Sequence, residues 1–499
     1  MEERTTEGDR VVGEGYERLG AKKLSLIDVL AQSVGFMGPV FSAAFIIPLI
    51  IGVNAAARGA GTSAPLAVLL AAIGVFALGW IVAQYAKRIH AAGSLYDYVS
   101  NGLGRTIGAA TGWLYYAGTI ILTIGLGVLI GGYIHDNLWP GLFDGDLAPG
   151  PIWMWDAILT LGLFVVLYFG VKISTRVQLT LALVSVVVVL IFFITVIADL
   201  GGDNDIAKAF DPSPSGGFSG ILFGVLYGVL IFVGFETAAN LAEETAEPKR
   251  SIPRAVLGAV VIVSIFYLIA SYAEVAGFGF DLSVITSPDV AGAPLFALGA
   301  PGSPSGSEFW LKVLLVVVFF DMLAVYVGAA VASTRGTFAM ARDRRLPGAL
   351  ATVSSRYGTP TGAIVLLIAL QIVLIIVAEG NDTLLVLAPG LPHYFSIFVW
   401  CSTFGGFALL VVYLLMSVGS LRGLSGSEGF GGIVIAAILG ILISGAAIYG
   451  SFYKVTSPTL IAPWAAVIWF AIGLVYMALV RGREPASEAL DDLRSRAGL

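Results

Sequence analysis

The sequence predicts an all-α integral membrane protein with twelve transmembrane helices. Apolar residues make up 58% of the 499-residue chain and charged residues only 12%, a balance that ordinary soluble domains do not reach. The charges also cluster between long uncharged runs, such as 177–198 and 357–378. A helix over either run is about 33 Å long, at about 1.5 Å per residue, and can cross the hydrocarbon core of a bilayer.

The apolar segments follow one another along nearly the whole chain. We place their beginnings near residues 26, 66, 107, 152, 177, 218, 255, 312, 361, 393, 432 and 461. With the N-terminus in the cytoplasm, 23 of the 27 Lys and Arg residues lie inside, and four lie outside: Arg58, Lys208, Lys312 and Lys454. This asymmetry predicts a multi-pass protein of the cytoplasmic membrane with both termini cytoplasmic.

The polar ends are too short to form domains. Residues 1–24 carry charges and lack the apolar core of a signal peptide, so we expect a cytoplasmic N-terminal segment there and a cytoplasmic tail over 482–499. Cys401 is the one cysteine, and the three histidines lie far apart in sequence, which predicts neither a disulfide framework nor a metal site. We find no nucleophile–base pair and no Walker-type loop, and therefore expect no enzyme, no cofactor and no nucleic-acid partner. The expected partners are the lipid bilayer and a small solute.

The first and sixth segments are predicted to be interrupted helices. The first contains Gly35, Gly38 and Pro39 near its middle, and the sixth contains three glycines that end with Gly234. Proline removes a backbone donor and glycine lowers the cost of unwinding. Interruptions in matching positions point to an inverted-repeat transporter whose site lies at mid-membrane. The alternative is that these glycines serve helix packing.

Two acids lie within predicted spans, where a carboxylate is costly unless it has a role. Glu236 follows the charge-free run 212–235, and Asp321 lies about ten residues into the eighth segment. For Asp321 we consider contact with substrate or a proton, or a local pairing. Burial favours the protonated form of either acid, so either could carry a proton.

Three stretches together resemble the amino acid–polyamine–organocation (APC) superfamily, in particular its amino acid permeases. The first runs from Arg88 to Gly104. The second begins with Gly-Phe-Glu at 234–236 and ends in Glu-Glu-Thr-Ala-Glu-Pro-Lys-Arg-Ser-Ile-Pro-Arg at 243–254, and the third lies between 333 and 360. The resemblance implies a five-plus-five inverted repeat over 25–420, with repeats at about 25–200 and 212–420. Two additional helices follow over 430–481.

The resemblance also implies a site at the two interruptions. It places the substrate carboxylate at the first and the amino group at the carbonyls of the sixth. The lining residues would be Gly35, Phe36, Met37, Gly38, Pro39, Val40, Leu230, Ile231, Phe232, Val233 and Gly234. Pro39 stands where family members often have Ser or Thr with a free N–H. Its presence weakens the carboxylate contact and leaves a substrate without a carboxylate possible.

Further roles follow from the same resemblance. Glu236 matches an acidic gating residue of related antiporters, or else anchors its helix through a backbone, Tyr or Thr partner. From their position after the sixth segment, we also expect Glu243 and Glu244 in an ion-pair cluster at a cytoplasmic gate, or else on a solvated juxtamembrane surface. Arg335 would belong to the same gate or anchor the topology. Ser185 replaces a lysine that stands in for sodium in some members, so we expect proton coupling or exchange.

The sequence thus predicts a secondary transporter for a small amino acid or related amine that works by alternating access. A polyamine or organic cation transporter and a transporter-like nutrient sensor remain as alternatives.

Overall fold

The computed structural model of the chain describes residues 24–52, 59–143, 145–213, 217–287, 290, 293–381, 385–386, 392–427, 429–453, 455 and 457–480. The predicted tail 482–499 and all of the predicted N-terminal segment except Leu24 lie outside these residues. So do Arg58 and Lys454, which the charge distribution assigns to the outer face.

Within these described residues, the prediction of an all-helical protein with twelve apolar helices long enough to cross a membrane is confirmed. We number them as spans 1 to 12. Their helical bounds are Leu26–Met37 with Pro39–Phe45, Ala64–Ala86, Arg105–Tyr133, Ile152–Phe169, Val171–Asp199, Phe218–Leu230 with the 3₁₀ helix Phe235–Glu244, Pro248–Ala276, Glu308–Arg342, Thr361–Gly380, His393–Gly423, Phe430–Gly450 and Ile461–Leu479.

Two spans begin earlier than the uncharged runs suggest. Span 5 starts at Val171 rather than near 177, and span 7 starts at Pro248 rather than near 255. Helical hydrogen bonding continues past the end of an apolar run, and proline suits a first helical turn because its missing N–H would have no helical partner there. The polar stretch between spans 7 and 8 is not all loop, since it contains the short helices Leu282–Ile285 and Pro294–Gly299.

Burial separates a central group of spans from a peripheral one. Most residues of spans 1, 2, 3, 6, 7, 8 and 10 are buried inside the protein, whereas a third or fewer are buried in spans 4, 5, 9, 11 and 12. The exposed side chains of the second group are large and apolar, among them Leu161, Ile194, Ile376 and Leu442. Apolar exposure on this scale fits contact with lipid. Any chemistry of polar groups is therefore expected within the central spans.

The packing partners follow a regular pattern. Span 3 packs on span 10, span 5 on span 8, span 2 on span 7, and span 4 on span 9. In a five-plus-five repeat, spans 1 to 5 correspond in order to spans 6 to 10. The packing of span 3 on span 10 then has its counterpart in the packing of span 8 on span 5. The pairs 2–7 and 4–9 are each their own counterpart. The five-plus-five repeat remains a prediction, which these packings support.

Candidate functional site

Span 1 changes direction at Gly38. This residue has φ +55°, and its N–H bonds to the Val34 carbonyl to close the first helical segment. A Cβ at Gly38 would lie 2.1 Å from Val325 Cγ2 of span 8, so both the backbone conformation and the close packing require glycine. Pro39 then begins the second segment. Because the helix is interrupted at Gly38, Pro39 is the first residue of the next helical segment and does not clash with a preceding turn.

Asp321 of span 8 reaches the start of that second segment. Its Oδ2 accepts the Phe41 N–H at 2.7 Å, and the Val40 N–H also interacts with the carboxylate. The side chain is completely buried, and its Oδ1 has no hydrogen-bond partner among the described residues. A carboxylate of the protein therefore occupies the amide donors that the family resemblance assigns to substrate.

Span 6 breaks opposite span 1. Its α-helix ends at Leu230, and Gly234 has φ +112° before the 3₁₀ helix begins. The Tyr267 hydroxyl of span 7 lies 2.6 Å from the Ile231 carbonyl oxygen and 3.2 Å from that of Met37. One phenol group thus contacts main-chain oxygen atoms at both breaks.

A second set of hydrogen bonds, made by Ser33, connects span 1 to span 6. Ser33 Oγ donates to the Phe235 carbonyl at 2.8 Å and accepts the Ala238 N–H at 3.1 Å. A Cβ on Gly234 would lie 2.8 Å from Phe36 Cγ. The two interrupted spans are therefore packed directly against each other.

The structure brings most of the predicted lining residues together. Of these eleven, all except the half-buried Leu230 are buried. Leu230 is directed to span 10, where its Cδ2 would be 2.5 Å from a Cβ at Gly406. The residues line a closed contact between spans 1 and 6, and their role in binding stays a prediction.

Glu236 has partners for both carboxylate oxygens. Tyr115 of span 3 donates to Oε1 at 3.0 Å, and Tyr413 of span 10 donates to Oε2 at 2.9 Å. The Gly234 N–H also lies 3.3 Å from Oε2. These contacts are those expected of a helix anchor that joins span 6 to spans 3 and 10.

The two acids at the end of span 6 both form ion pairs with span 8. Glu243 accepts two hydrogen bonds of 2.9 Å from Arg342, and its Oε1 also accepts the Ala92 N–H at 2.9 Å. Glu244 accepts from Arg335 Nε at 3.2 Å, and both side chains are buried. The sequence analysis did not single out Arg342. We call these two pairs the inner-end pairs, because the charge distribution predicts that this end is cytoplasmic.

Asp343 lies next to the inner-end pairs, just beyond span 8. Tyr96 donates to its Oδ2 at 3.2 Å, and Arg342 Nε lies 3.9 Å from its Oδ1. Burial raises the pKa of Asp343 to about 7, against the opposing effect of the neighbouring Arg342. This carboxyl can change its charge near neutral pH.

A cavity of about 320 Å³ lies away from the breaks, among spans 3, 4, 9 and 10. Its lining includes Asp136, Asp156, Glu379 and His393, none of which the sequence analysis proposed as a site residue. Asp156 was missed although it is an acid near the start of an apolar segment. At the two breaks the arrangement is closed, and Met37 and its neighbours are buried.

Two other functional candidates were missed for different reasons. Glu274 lies in span 7, is completely buried, and has no hydrogen-bond partner for either carboxyl oxygen within the described chain. The criterion that selected Asp321, an acid inside an apolar span, would also have selected Glu274. Tyr267 carries no such signal, because a tyrosine in an apolar helix is common.

Comparison with known proteins identifies the family. The family model described as amino acid permease matches residues 34–484. The chain belongs to the amino acid permease family. The resemblance stated from the sequence is thereby confirmed, and this permease is a multi-pass membrane transporter rather than an enzyme.

The permease is similar to several transporters with different names. It is 23% identical to the methylthioribose transporter of Bacillus subtilis over 68% of this chain and 71% of that protein. It is 22% identical to the branched-chain amino acid permease of the same organism, over 70% and 74% respectively. It is 24% identical to the gamma-aminobutyric acid permease of Escherichia coli, over 75% and 76%. These names cover several kinds of solute.

Proposed function

We propose that this permease is a secondary transporter that moves a small amino acid or a related amine across the cytoplasmic membrane by alternating access. The observation that carries the proposal is the contact between two interrupted spans, 1 and 6, with Tyr267 bonded to main-chain oxygen atoms at both breaks. Unwound backbone inside a membrane is tolerated where protein encloses it, and it supplies polar atoms to a solute.

The inner-end pairs support the alternating-access part of the proposal. Glu243 and Glu244 lie on the half of span 6 beyond its break, and their partners Arg342 and Arg335 lie on span 8. Separating these spans requires that both pairs break. The pairs therefore hold one end of the central site closed and would open when that end gives access to the solute.

Glu274 supports coupling to protons. Its completely buried carboxyl lacks a hydrogen-bond donor among the described residues, and such groups inside membranes are candidates for proton relays. It lies on span 7, whereas Glu236 and Asp321 lie on spans 6 and 8. Exchange of one solute for another remains the alternative mode.

Transport by reconstituted protein tests the proposal. Purified permease in liposomes should catalyse counterflow of at least one labelled amino acid or amine, whereas liposomes without protein should not. An imposed inward proton gradient should then increase net uptake, and Glu274→Gln should remove that increase while counterflow persists. Counterflow with no response to the gradient would assign exchange. Absence of counterflow for the entire panel, with binding retained, would instead favour a nutrient sensor.

A further inference from the structure

The backbone N–H groups at the break of span 1 already have hydrogen-bond acceptors within the protein. The Gly38 N–H bonds to the Val34 carbonyl, and Pro39 has no N–H. The Phe41 N–H donates to Asp321 Oδ2 at 2.7 Å, and the Val40 N–H interacts with the same carboxylate. The carboxylate of an amino acid would have to displace Asp321 or lie beside it, and two carboxylates at short range repel each other.

The same place has a carboxylate oxygen that can accept a further hydrogen bond. Asp321 Oδ1 is buried and has no hydrogen-bond partner in the described part of the chain, and it belongs to a carboxylate whose Oδ2 lies at the break. The carbonyl oxygens of Met37 and Ile231 both lie near the Tyr267 hydroxyl, and the Met37 carbonyl also accepts from the Ser42 hydroxyl at 3.1 Å. A buried carboxylate that stays ionised is stabilised by a positively charged donor. An ammonium group, with several N–H donors, meets that need.

We infer that the substrate of this permease is an organic monoamine without a carboxylate, and that its ammonium group binds Asp321 Oδ1 beside the Met37 and Ile231 carbonyls. The inference rests on the transport function proposed above and specifies its substrate class. A diamine would need a second counterion in this region. Glu236 does not supply one, because its two oxygens already accept from Tyr115 and Tyr413.

The surroundings of the ammonium position favour an apolar body for this amine. The Phe41 ring lies 5.6 Å from that of Phe398 and 5.7 Å from that of Phe45. On the span 6 side, the Phe232 ring meets Tyr267 edge to face at 5.2 Å. Aromatic rings offer both apolar surface and a face that attracts cations. We therefore expect alkyl and aryl amines to be preferred over strongly polar ones.

Pairs of compounds that differ only in the carboxylate provide the test. Counterflow with wild-type permease in liposomes would compare isoamylamine with leucine and phenethylamine with phenylalanine, and putrescine would serve as the diamine. We expect each monoamine to have a half-saturating concentration at least tenfold below that of its amino acid, and putrescine to be weaker than the monoamines. Thermal stabilisation of the purified protein by each compound gives an independent measure of binding.

Variants at span 8 link the preference to Asp321. Asp321→Asn should raise the half-saturating concentration of the monoamines at least tenfold. Glu308→Gln is the matched control, since Glu308 lies at the exposed end of the same span and pairs with Lys312; it should leave the preference unchanged. If Asp321→Asn does not fold, the preference of the wild-type protein still decides the matter.

Three results would overturn the inference. The first is counterflow in which the wild-type permease has a half-saturating concentration for amino acids equal to, or lower than, that for their decarboxylated partners. The transport function would then stand, and the inferred substrate class would be wrong. The second is stabilisation of wild type, but not of Asp321→Asn, by Na⁺ alone while the monoamines have no effect. The third is an unchanged monoamine preference in Asp321→Asn. Failure of every compound to exchange would contradict the transport function itself.

Discussion

The pair between Glu243 and Arg342 provides a quantitative test of the closed inner end. Two hydrogen bonds of 2.9 Å join the charged groups, and the side chains are 14% and 6% exposed. Hydrogen bonds to charged groups contribute about 1.5–3 kcal/mol each in net terms. Glu243→Gln removes the charge and one of the two acceptors, while the remaining oxygen can still accept. We therefore expect the closed state to lose about 2 kcal/mol relative to an open one.

Destabilisation of the closed state predicts a measurable increase in the accessibility of buried residues near the inner end. A tenfold change in an equilibrium corresponds to about 1.4 kcal/mol, so about 2 kcal/mol increases the open population roughly 30-fold. The chain has one cysteine, the buried Cys401, and Cys401→Ser gives a background for a reporter. Ala239→Cys places that reporter at a buried position on the same 3₁₀ helix as Glu243. The rate of maleimide labelling in detergent should rise roughly 30-fold in Glu243→Gln.

A nearby surface pair gives the matched control. Glu247 and Arg250 are 3.9 Å apart and mostly exposed, and exposed pairs contribute about 0–1 kcal/mol. Glu247→Gln should change the labelling rate less than fivefold. Arg342→Gln should change the labelling rate less in the Glu243→Gln background than it does alone, because the two residues share one interaction. Equal labelling rates in Glu243→Gln and Glu247→Gln would refute the conclusion that the Glu243–Arg342 pair stabilises the closed inner end.

Three other substitutions test the remaining features. Gly38→Ala should lower the free energy of unfolding by about 2 kcal/mol or more and abolish counterflow, since alanine is strained at φ +55° and would overlap span 8. Glu236→Gln should lower the thermal midpoint, because one tyrosine hydroxyl would lose a charged acceptor worth about 1.5–3 kcal/mol; the loss should shrink in a Tyr413→Phe background. Asp343 has a pKa raised from 3.8 to about 7, so the folded state binds the proton more tightly. Its contribution to stability should be complete below about pH 4 and fall as the pH rises through about 7, and Asp343→Asn should remove that slope.

Each of these substitutions has a distinct control or contradiction. Gly431→Ala, at an open helical position, should be neutral or slightly stabilising because alanine is the better helix former; similar losses at both glycines would contradict the steric argument. Additive effects of Glu236→Gln and Tyr413→Phe would show that the two groups are not coupled. Chemical denaturation at several pH values measures the Asp343 effect, and an equal slope in wild type and Asp343→Asn would contradict it.

Much of the fold could be predicted because the relevant signals are local. Uncharged runs of helical length identify twelve spans whatever their neighbours are, since the bilayer imposes the same requirement on each. Glycine and proline similarly mark the interruption at Gly38, because they change the backbone where they occur. The three motifs at 88–104, 234–254 and 333–360 together were enough to indicate the family.

The partners of the buried acids depended on tertiary structure. Glu236 and Asp321 look alike in sequence, as acids within apolar helices. Folding brings Tyr115 and Tyr413 from spans 3 and 10 to Glu236. Asp321 instead accepts the Phe41 N–H from 280 residues away, and its other oxygen has no partner among the residues that the structure describes. Hydrophobic patterning shows which residues enter the membrane, but the hydrogen bonds of a buried carboxylate come from groups distant in the chain.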